Sequence, residues 1–234
     1  MSNLRVKGFD YISFWEEDNI GIIAIRIDSK GVTSVGVINE LILSLGTAMS
    51  DNKITSIAIT GINDVFLKGL VWESDKQDFL EVMDSSHMLA TILYGIRKPV
   101  FSLLNGDCLN FGYELALLTD RIIARPSSNV GFSADYGFMA GGSMTWSRFR
   151  YTGTGKSRAG INVDVVGDDA NFLGYCKEYI NDNQRFDFST IRRANFGLLQ
   201  NAIMAETDTQ LRNYYRKQLG KEKFISQEER QQPQ

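Results

Sequence analysis

The stretch VFSLLNGDCLNFGYELALLTD, residues 100–120, decides the fold of this chain. Its first five residues predict a buried strand, because they are almost all apolar and the turn-forming pair Asn105-Gly106 follows them. The residues from Gly112 through Leu118 predict a short apolar helix. A strand that passes through a glycine-bearing loop into a helix leaves backbone amides free at the helix N-terminus, where they can receive negative charge.

Strand and helix patterns alternate on both sides of this stretch. Upstream, two strands with a turn between them predict a hairpin, and an amphipathic helix precedes a second buried strand. The predicted ranges are 11–15 and 20–27 for the hairpin, 38–49 for a helix capped by Ser34, 54–60 for the next strand, 89–96 for a second helix and 121–125 for the last strand. Strands linked through helices are typical of parallel pairing, so we predict an α/β fold.

The last third of the chain has a different pattern. Beyond Gly167 the strand signal fades, and apolar residues on a 3.6-residue period predict one helix over 191–202. Residues 217–234 are polar and rich in Gln, which favours a mobile tail or an arm docked on a partner. We therefore divide the chain into an α/β core, residues 1–166, and a C-terminal helical region with a polar tail, residues 167–234, that serves oligomerisation.

Composition excludes several classes of protein. The chain has 234 residues, 43% of them hydrophobic and 23% charged, as in an ordinary folded protein. The 25 Lys and Arg against 28 Asp and Glu give a net charge of −3, which does not attract nucleic acid or anionic lipid. No stretch approaches the ~20 apolar residues of a membrane span, and the first residues lack the apolar core of a signal peptide. We expect a cytoplasmic protein without a nucleic-acid or membrane partner.

Cysteine and histidine are scarce. Cys108 and Cys176 are too few for a disulfide framework, and with the single histidine, His87, they cannot form a closed four-ligand zinc site. We therefore expect no metal. His87 is predicted on a helix that faces the loop at Lys68, and a surface or core-edge position is its simplest interpretation.

Two segments contain residue types suited to catalysis. Residues 64–70 follow the predicted strand that ends at Gly61, where α/β folds place ligands. Gly69 would let the backbone turn sharply or approach a ligand closely, which leaves the Leu70 amide free to donate. An ordinary surface turn is the alternative. In the second segment Glu114 stands among Phe, Tyr, Leu and Ala, where a carboxylate rarely lies without a partner or a task. The alternatives are a glutamate paired with an arginine or exposed on one helical face.

Together these segments resemble the enoyl-CoA hydratase/isomerase family, the crotonase superfamily. The family has a loop T-G-x-x-x-x-F-S-A-G-A-D-L and, about forty residues later, K-P-V-x-A-x-x-N-G-x-A-x-G-G-G-x-E-L-A-L-x-x-D. Their counterparts here are Thr60-Gly61, Phe66-Leu67-Lys68-Gly69-Leu70, Lys98-Pro99-Val100, Asn105-Gly106, Gly112-Tyr113-Glu114-Leu115-Ala116-Leu117 and Asp120-Arg121. Order and spacing both match, and weaker matches continue to about residue 175.

The resemblance implies a fold and a site. The fold would be a crotonase-like spiral of ββα units with a C-terminal helical region, assembled as a homotrimer or hexamer. The backbone amides of Leu70 and Phe111 would form an oxyanion hole for the thioester oxygen of an acyl-CoA, and Glu114 would move the proton. The substrate would contact Lys68, Gly69, Trp72, Gly112 and Phe138. No cofactor is implied beyond the coenzyme A of the substrate.

The sequence also departs from the family pattern. Asn110-Phe111-Gly112 replaces the Gly-Gly-Gly, and Val71 replaces the aspartate of G-A-D. The second catalytic glutamate of hydratases falls in a segment that is one residue shorter, so either Ala134 occupies its place or Asp135 substitutes for it. The chain could thus be a hydratase, an isomerase, or a non-catalytic acyl-CoA-binding or assembly subunit. Lys217, Lys221 and Lys223 are the candidates for contacts with coenzyme A.

Overall fold

The structure, a computed structural model, describes residues 9–28, 30–62, 64–71, 76–133, 156–158, 163–183 and 188–228. The strands in these residues are β1 (Ile12–Glu17), β2 (Ile20–Ile25), β3 (Val32–Thr33), β4 (Ser56–Gly61), β5 (Val65–Leu67), β6 (Gly69–Leu70), β7 (Val100–Leu104), β8 (Asp107–Leu109), β9 (Arg121–Ala124), β10 (Asn129–Gly131), β11 (Lys156–Arg158) and β12 (Val165–Val166). The helices are α1 (Val35–Ser50), α2 (Lys76–Gly95), α3 (Phe111–Leu117), α4 (Phe172–Asn183), α5 (Phe188–Ala194) and α6 (Phe196–Glu228).

The strands form two larger sheets and one small one. The main sheet has the order β1-β2-β4-β7-β9-β12, in which β1 is antiparallel to β2 and the other pairs are parallel. The second sheet has the order β11-β10-β8-β5, and β3 pairs with β6. From β4 to β10, strands of the main sheet (β4, β7, β9) alternate along the chain with strands of the second sheet (β5, β8, β10), and β6 joins the small sheet. This arrangement confirms the predicted α/β spiral of ββα units with a helical C-terminal region.

The main sheet is covered on both faces, and its inner strands are apolar for that reason. Every residue of β2, β4 and β7 is buried, as expected for parallel strands without a solvent-exposed face. The larger core packs these strands against α1, α2 and α3. A second core on the other face joins Ile22, Ala58 and Phe101 to Phe172, Cys176 and Ile180 of α4. The loops that leave the main sheet are therefore attached to a rigid platform.

The N-terminal predictions hold with one correction. The hairpin turns at Asp18 and Asn19, whose φ angles of 54° and 62° fit a two-residue turn that matches the twist of the strands. Ser34 lies at the N-cap position of α1, but within the described residues its side chain makes no capping bond. Its hydroxyl instead donates to the Tyr11 hydroxyl at 3.3 Å. The predicted side-chain cap is thus wrong, although the helix begins where expected.

The C-terminal helices differ from the prediction. The single helix expected over 191–202 is divided at Asn195 between α5 and α6. The backbone of α6 is helical through Glu228, so the tail expected from Lys217 onward continues a helix for most of its length. α6 packs along α2, where the rings of Phe79 and Tyr214 stack at 4.7 Å. No helix in the described residues is long and apolar enough to cross a membrane.

The predicted orientation of His87 is wrong. His87 lies on α2, as expected, but its Nε2 is 3.3 Å from the Thr207 hydroxyl of α6. Burial lowers the pKa of His87, although the nearby Asp84 carboxylate opposes this shift. His87 is therefore part of the packing between α2 and α6 and does not face the Lys68 loop.

Both thiols are expected to be unreactive in the folded protein. Cys108 and Cys176 are free and buried. Burial raises the pKa of the Cys108 thiol well above its ordinary value and that of Cys176 to about 12, so both stay protonated at mildly alkaline pH. We expect a disulfide reagent such as DTNB to label them far more slowly in native protein than in concentrated guanidinium chloride. A thiol that reacts equally fast in both conditions would contradict this placement.

Candidate active site

Three glycines allow close backbone contacts at the predicted site, and two of them, Gly106 and Gly112, bring its two segments together. A Cβ atom on Gly61 would lie 1.8 Å from the Val65 carbonyl oxygen, and one on Gly106 would lie 1.7 Å from that of Asp64. A Cβ on Gly112 would lie 2.0 Å from the Leu67 carbonyl oxygen. No side chain fits at these distances, so glycine is required at all three positions. The start of α3 consequently packs directly on the end of β5.

The pairing of β5 with β8 contains a register shift that matters for the site. Val65 pairs with Asp107, but Leu67 pairs with Cys108, so one extra residue lies on β5. The recorded pairing ends at Leu67 and Cys108, three residues before Leu70 and Phe111. The irregularity therefore lies close to the two residues whose amides were predicted to act together.

The backbone around β6 is held against β3 on both sides of the strand. The amides of Lys68 and Val71, which flank β6, donate to the carbonyls of Gly31 and Thr33, each at 2.7 Å. The Leu70 side chain is 9% exposed and belongs to the main core.

Gly69 does not make the sharp turn that the sequence suggested. It lies in the extended strand β6, where it pairs with Val32, and its φ angle is not positive. A Cβ on Gly69 would meet nothing within 4 Å among the described residues. Among the described residues, nothing therefore covers this side of the strand.

Asn110 holds the N-terminus of α3 in an unusual conformation. Its φ of 53° and ψ of −118° suit glycine, which is the residue that the resemblance places here. The Asn110 Oδ1 accepts from the Ser133 amide at 2.8 Å and from the Ser133 hydroxyl at 2.9 Å. These bonds turn the side chain away from the amides of α3. Phe111 is the first helical residue, so its amide is one of those that have no hydrogen-bond acceptor within the helix.

Glu114 is fully buried in the first turn of α3. Its exposed fraction is 0%, and all seven residues of the helix are buried. Its amide donates to the Asn110 carbonyl at 2.9 Å, which anchors it one turn after the helix start. The alternative of a glutamate exposed on one helical face is therefore excluded.

Lys68 and Asp107 connect the two segments through their side chains. The Lys68 Nζ lies 3.1 Å from the Asp107 Oδ2, and about 28% of each side chain is exposed. The Asp107 Oδ1 also accepts from the Asn129 amide at 3.1 Å and from its Nδ2 at 2.8 Å. Burial raises the pKa of Asp107, but the bonds from Asn129 and Lys68 outweigh this effect and leave the pKa below its ordinary value.

Some contacts at the site were not predicted from the sequence. The pair Asn105-Gly106 indicated only a turn, yet the Asn105 Oδ1 accepts from the Gly61 amide at 3.0 Å in the buried interior. This bond joins the ends of β4 and β7, from which both site segments begin. An asparagine at the end of a buried strand was the only available signal, and it does not distinguish a turn from a bridge.

A cavity of about 320 Å³ lies on the other face of the main sheet. Apolar side chains such as Ile22, Leu103 and Ile180 form much of its wall, between the sheet and α4. Its described lining includes none of the predicted site residues. It does include Gly61, Asp64 and Asn105, which lie at or just after the ends of β4 and β7.

Several predicted site residues cannot be placed. Trp72, Ala134, Asp135 and Phe138 lie outside the described residues. Lys217, Lys221 and Lys223 lie on α6, with side chains outside the described part of the chain. The structure thus brings together Lys68, Gly69, Leu70, Phe111, Gly112 and Glu114.

Known proteins share parts of this sequence. A probable mitochondrial enoyl-CoA hydratase from Dictyostelium discoideum is 30% identical over 119 residues, which cover 50% of this chain and 43% of that protein. The 2,3-dehydroadipyl-CoA hydratase of Escherichia coli strain K12 is 28% identical over 131 residues, which cover 55% of this chain and 51% of that protein. The chain thus spans about half the length of these curated relatives.

The fold and the family profile agree with these similarities. A crystal structure of an enoyl-CoA hydratase from Bacillus halodurans superposes with a TM-score of 0.76 at 13% identity, covering 87% of this chain and 95% of that chain. That likeness establishes the fold. The profile of the enoyl-CoA hydratase/isomerase family matches residues 17–162, more than half of the sequence. The chain therefore belongs to the enoyl-CoA hydratase/isomerase family.

Proposed function

We propose that the protein is an enzyme that binds an acyl-CoA thioester and stabilises its enolate. The amides of Leu70 and Phe111 donate to the thioester oxygen, and Glu114 transfers a proton at the adjacent carbon. The observation that carries this proposal is the fully buried Glu114 in the first turn of α3, packed through Gly112 on the β5 backbone of a chain from this family.

The proposed oxyanion hole depends on backbone shape. Two amides held in place before the reaction stabilise negative charge without reorganisation, and the loss of one such donor costs about 10²–10³ in rate. Contacts at Gly61, Gly106 and Gly112 fix the backbone on both sides of the site. This rigidity explains why side chains at positions 110 and 111 can differ from the glycines of the family pattern while the site is kept.

Glu114 supplies one carboxylate, which is sufficient for double-bond isomerisation. In that reaction it removes a proton from one carbon of the acyl chain and returns it to another carbon of the enolate. Hydration requires more, because water must lose a proton as it adds to the β-carbon and the α-carbon must gain one. We propose Asp135 as the second carboxylate for hydration, with a shorter reach than glutamate.

The remaining parts of the proposal concern binding and assembly. Trp72 and Phe138 would line the acyl pocket, and Lys217, Lys221 and Lys223 would contact coenzyme A. Residues 167–234 would assemble a cytoplasmic homotrimer or hexamer. Exposed apolar side chains on the C-terminal helices support the assembly, since Ile191 is 67% exposed and Met204 is 71% exposed.

An ultraviolet difference titration with acetoacetyl-CoA tests the proposed site. This ligand forms an enolate with its own absorption band when hydrogen bonds polarise the thioester oxygen. We expect saturable binding accompanied by the enolate band. Binding without the band would favour the non-catalytic acyl-CoA-binding alternative, and no binding would favour an assembly subunit.

A further inference from the structure

We propose that Lys68 and Asp107 form a positioning pair that sets the spacing of the Leu70 and Phe111 amides. This inference rests on the proposed function, because it assigns a role in that oxyanion hole. It replaces the expectation that Lys68 contacts the substrate.

The pair bridges the two segments close to both amides. Lys68 is the single residue between β5 and β6, two positions before Leu70. Asp107 begins β8, four positions before Phe111. The 3.1 Å contact between their side chains therefore links the two halves of the hole. We therefore expect loss of this contact to change mainly the distance between the two segments.

Each partner is held by a further element. The Lys68 amide donates to the Gly31 carbonyl at 2.7 Å, and the Lys68 stem packs so closely on Gly31 that a Cβ there would lie 2.8 Å from Cγ. On the other side, Asn129 at the start of β10 donates twice to Asp107. The pair is thus anchored to Gly31, just before β3, and to Asn129 of β10, and we infer that it transmits their spacing to the segments between them.

The pair lies where the backbone pairing of the two segments ends. Close contacts at Gly106 and Gly112 hold the backbone as far as Leu67, and the recorded pairing of β5 with β8, which contains an extra residue between Val65 and Leu67, goes no further. A side-chain contact at Lys68, the next residue, therefore helps to set the path of the backbone beyond that point. Exposed ion pairs contribute little to stability, and both side chains here are about 28% exposed. A misplacement of about 1 Å, in contrast, costs up to ~10²-fold in catalysis. The pair is therefore expected to affect the reaction more than folding.

A double-mutant cycle with the acetoacetyl-CoA enolate band tests the pair. Lys68→Met keeps the packing of the stem and removes the charge, whereas Asp107→Asn keeps an acceptor for Asn129. We expect each variant to lower the enolate absorbance of the saturated complex and the kcat on an enoyl-CoA on the order of tenfold, with a small change in Kd. The double variant should lose no more than either single variant, because the residues act as a unit. Lys68→Arg should restore the band.

The controls separate this inference from the proposed function. Lys177→Met removes a comparable ion pair, with Glu17, between α4 and β1, and should leave the band unchanged. Unchanged bands in both single variants, or losses that multiply in the double variant, would overturn the positioning role. A direct contact of Lys68 with substrate would instead raise KM in Lys68→Met and spare Asp107→Asn. Absence of the band in the wild-type protein would overturn the proposed function, and the role of the pair with it.

Discussion

The Glu114→Gln variant is expected to lose about 10²–10⁴-fold in turnover of an enoyl-CoA while its affinity for the thioester changes little. Glutamine fills the same buried volume as the glutamate, which is 0% exposed, but it cannot accept and return the proton. The carboxylate acts in the transition state, so kcat and kcat/KM should fall together and the Kd should be kept. Steady-state rates and a binding titration measure both quantities.

A buried glutamate elsewhere provides the matched control for this variant. Glu206 of α6 is 3% exposed, so Glu206→Gln makes the same chemical change in a similar environment away from α3. We expect its turnover to equal that of the wild type. If Glu114→Gln and Glu206→Gln have the same rates on every enoyl-CoA tested, Glu114 does not transfer the proton.

The largest effect on stability is expected at the buried ion pair between Arg192 and Asp120. Their side chains are 4% and 2% exposed, and the Arg192 Nη1 lies 3.1 Å from the Asp120 Oδ2. Arg192→Met would leave Asp120 charged and buried, so we expect the free energy of unfolding to fall by about 3–5 kcal/mol. Chemical denaturation monitored by circular dichroism measures this change.

Neighbouring contacts explain why this pair is sensitive. The Asp120 Oδ2 also accepts from the Val100 amide at 2.7 Å, at the start of β7. The Arg192 Nη2 donates to the carbonyls of Ile96 and Lys98 at 2.8 and 3.1 Å. The pair thus fastens α5 to the segment between α2 and β7.

Two further variants separate the buried charge from general damage to α5. Arg193→Met removes the next guanidinium, whose bond to Thr190 is exposed, and should change stability by less than about 0.5 kcal/mol. The double variant Arg192→Met with Asp120→Asn should recover part of the loss, because no charge is left unpaired. A loss under about 1 kcal/mol in Arg192→Met would contradict the importance of the pair.

The longer elements could be predicted from the sequence because their patterns are local. The strand Val100–Leu104 is predicted to the residue, since a run of apolar side chains ends at Asn105-Gly106. The apolar neighbours of Glu114 on α3 singled this residue out, although exposure on one helical face remained an alternative until the structure placed it in the interior. The spiral order came from the family resemblance, because strands of two or three residues, such as β6 and β8, are too short to show a period.

Other features depend on contacts between distant residues. The Lys68–Asp107 pair requires the register shift between β5 and β8, which no local pattern encodes. The helical backbone of the C-terminal residues was missed for a different reason. Residues 217–228 are polar, which favours a mobile tail or a docked arm, but Lys, Gln and Glu are also good helix formers.

The central claim is that two backbone amides polarise the thioester oxygen, and infrared spectroscopy tests it most directly. The measurement is an isotope-edited difference spectrum of a saturated acyl-CoA, labelled with ¹³C at the thioester carbonyl, bound to the wild-type protein. Hydrogen bonds from the Leu70 and Phe111 amides should weaken the carbonyl bond and shift its stretch to lower wavenumber than in water. A stretch at the same position as in water, under conditions where the ligand is bound, would contradict the claim.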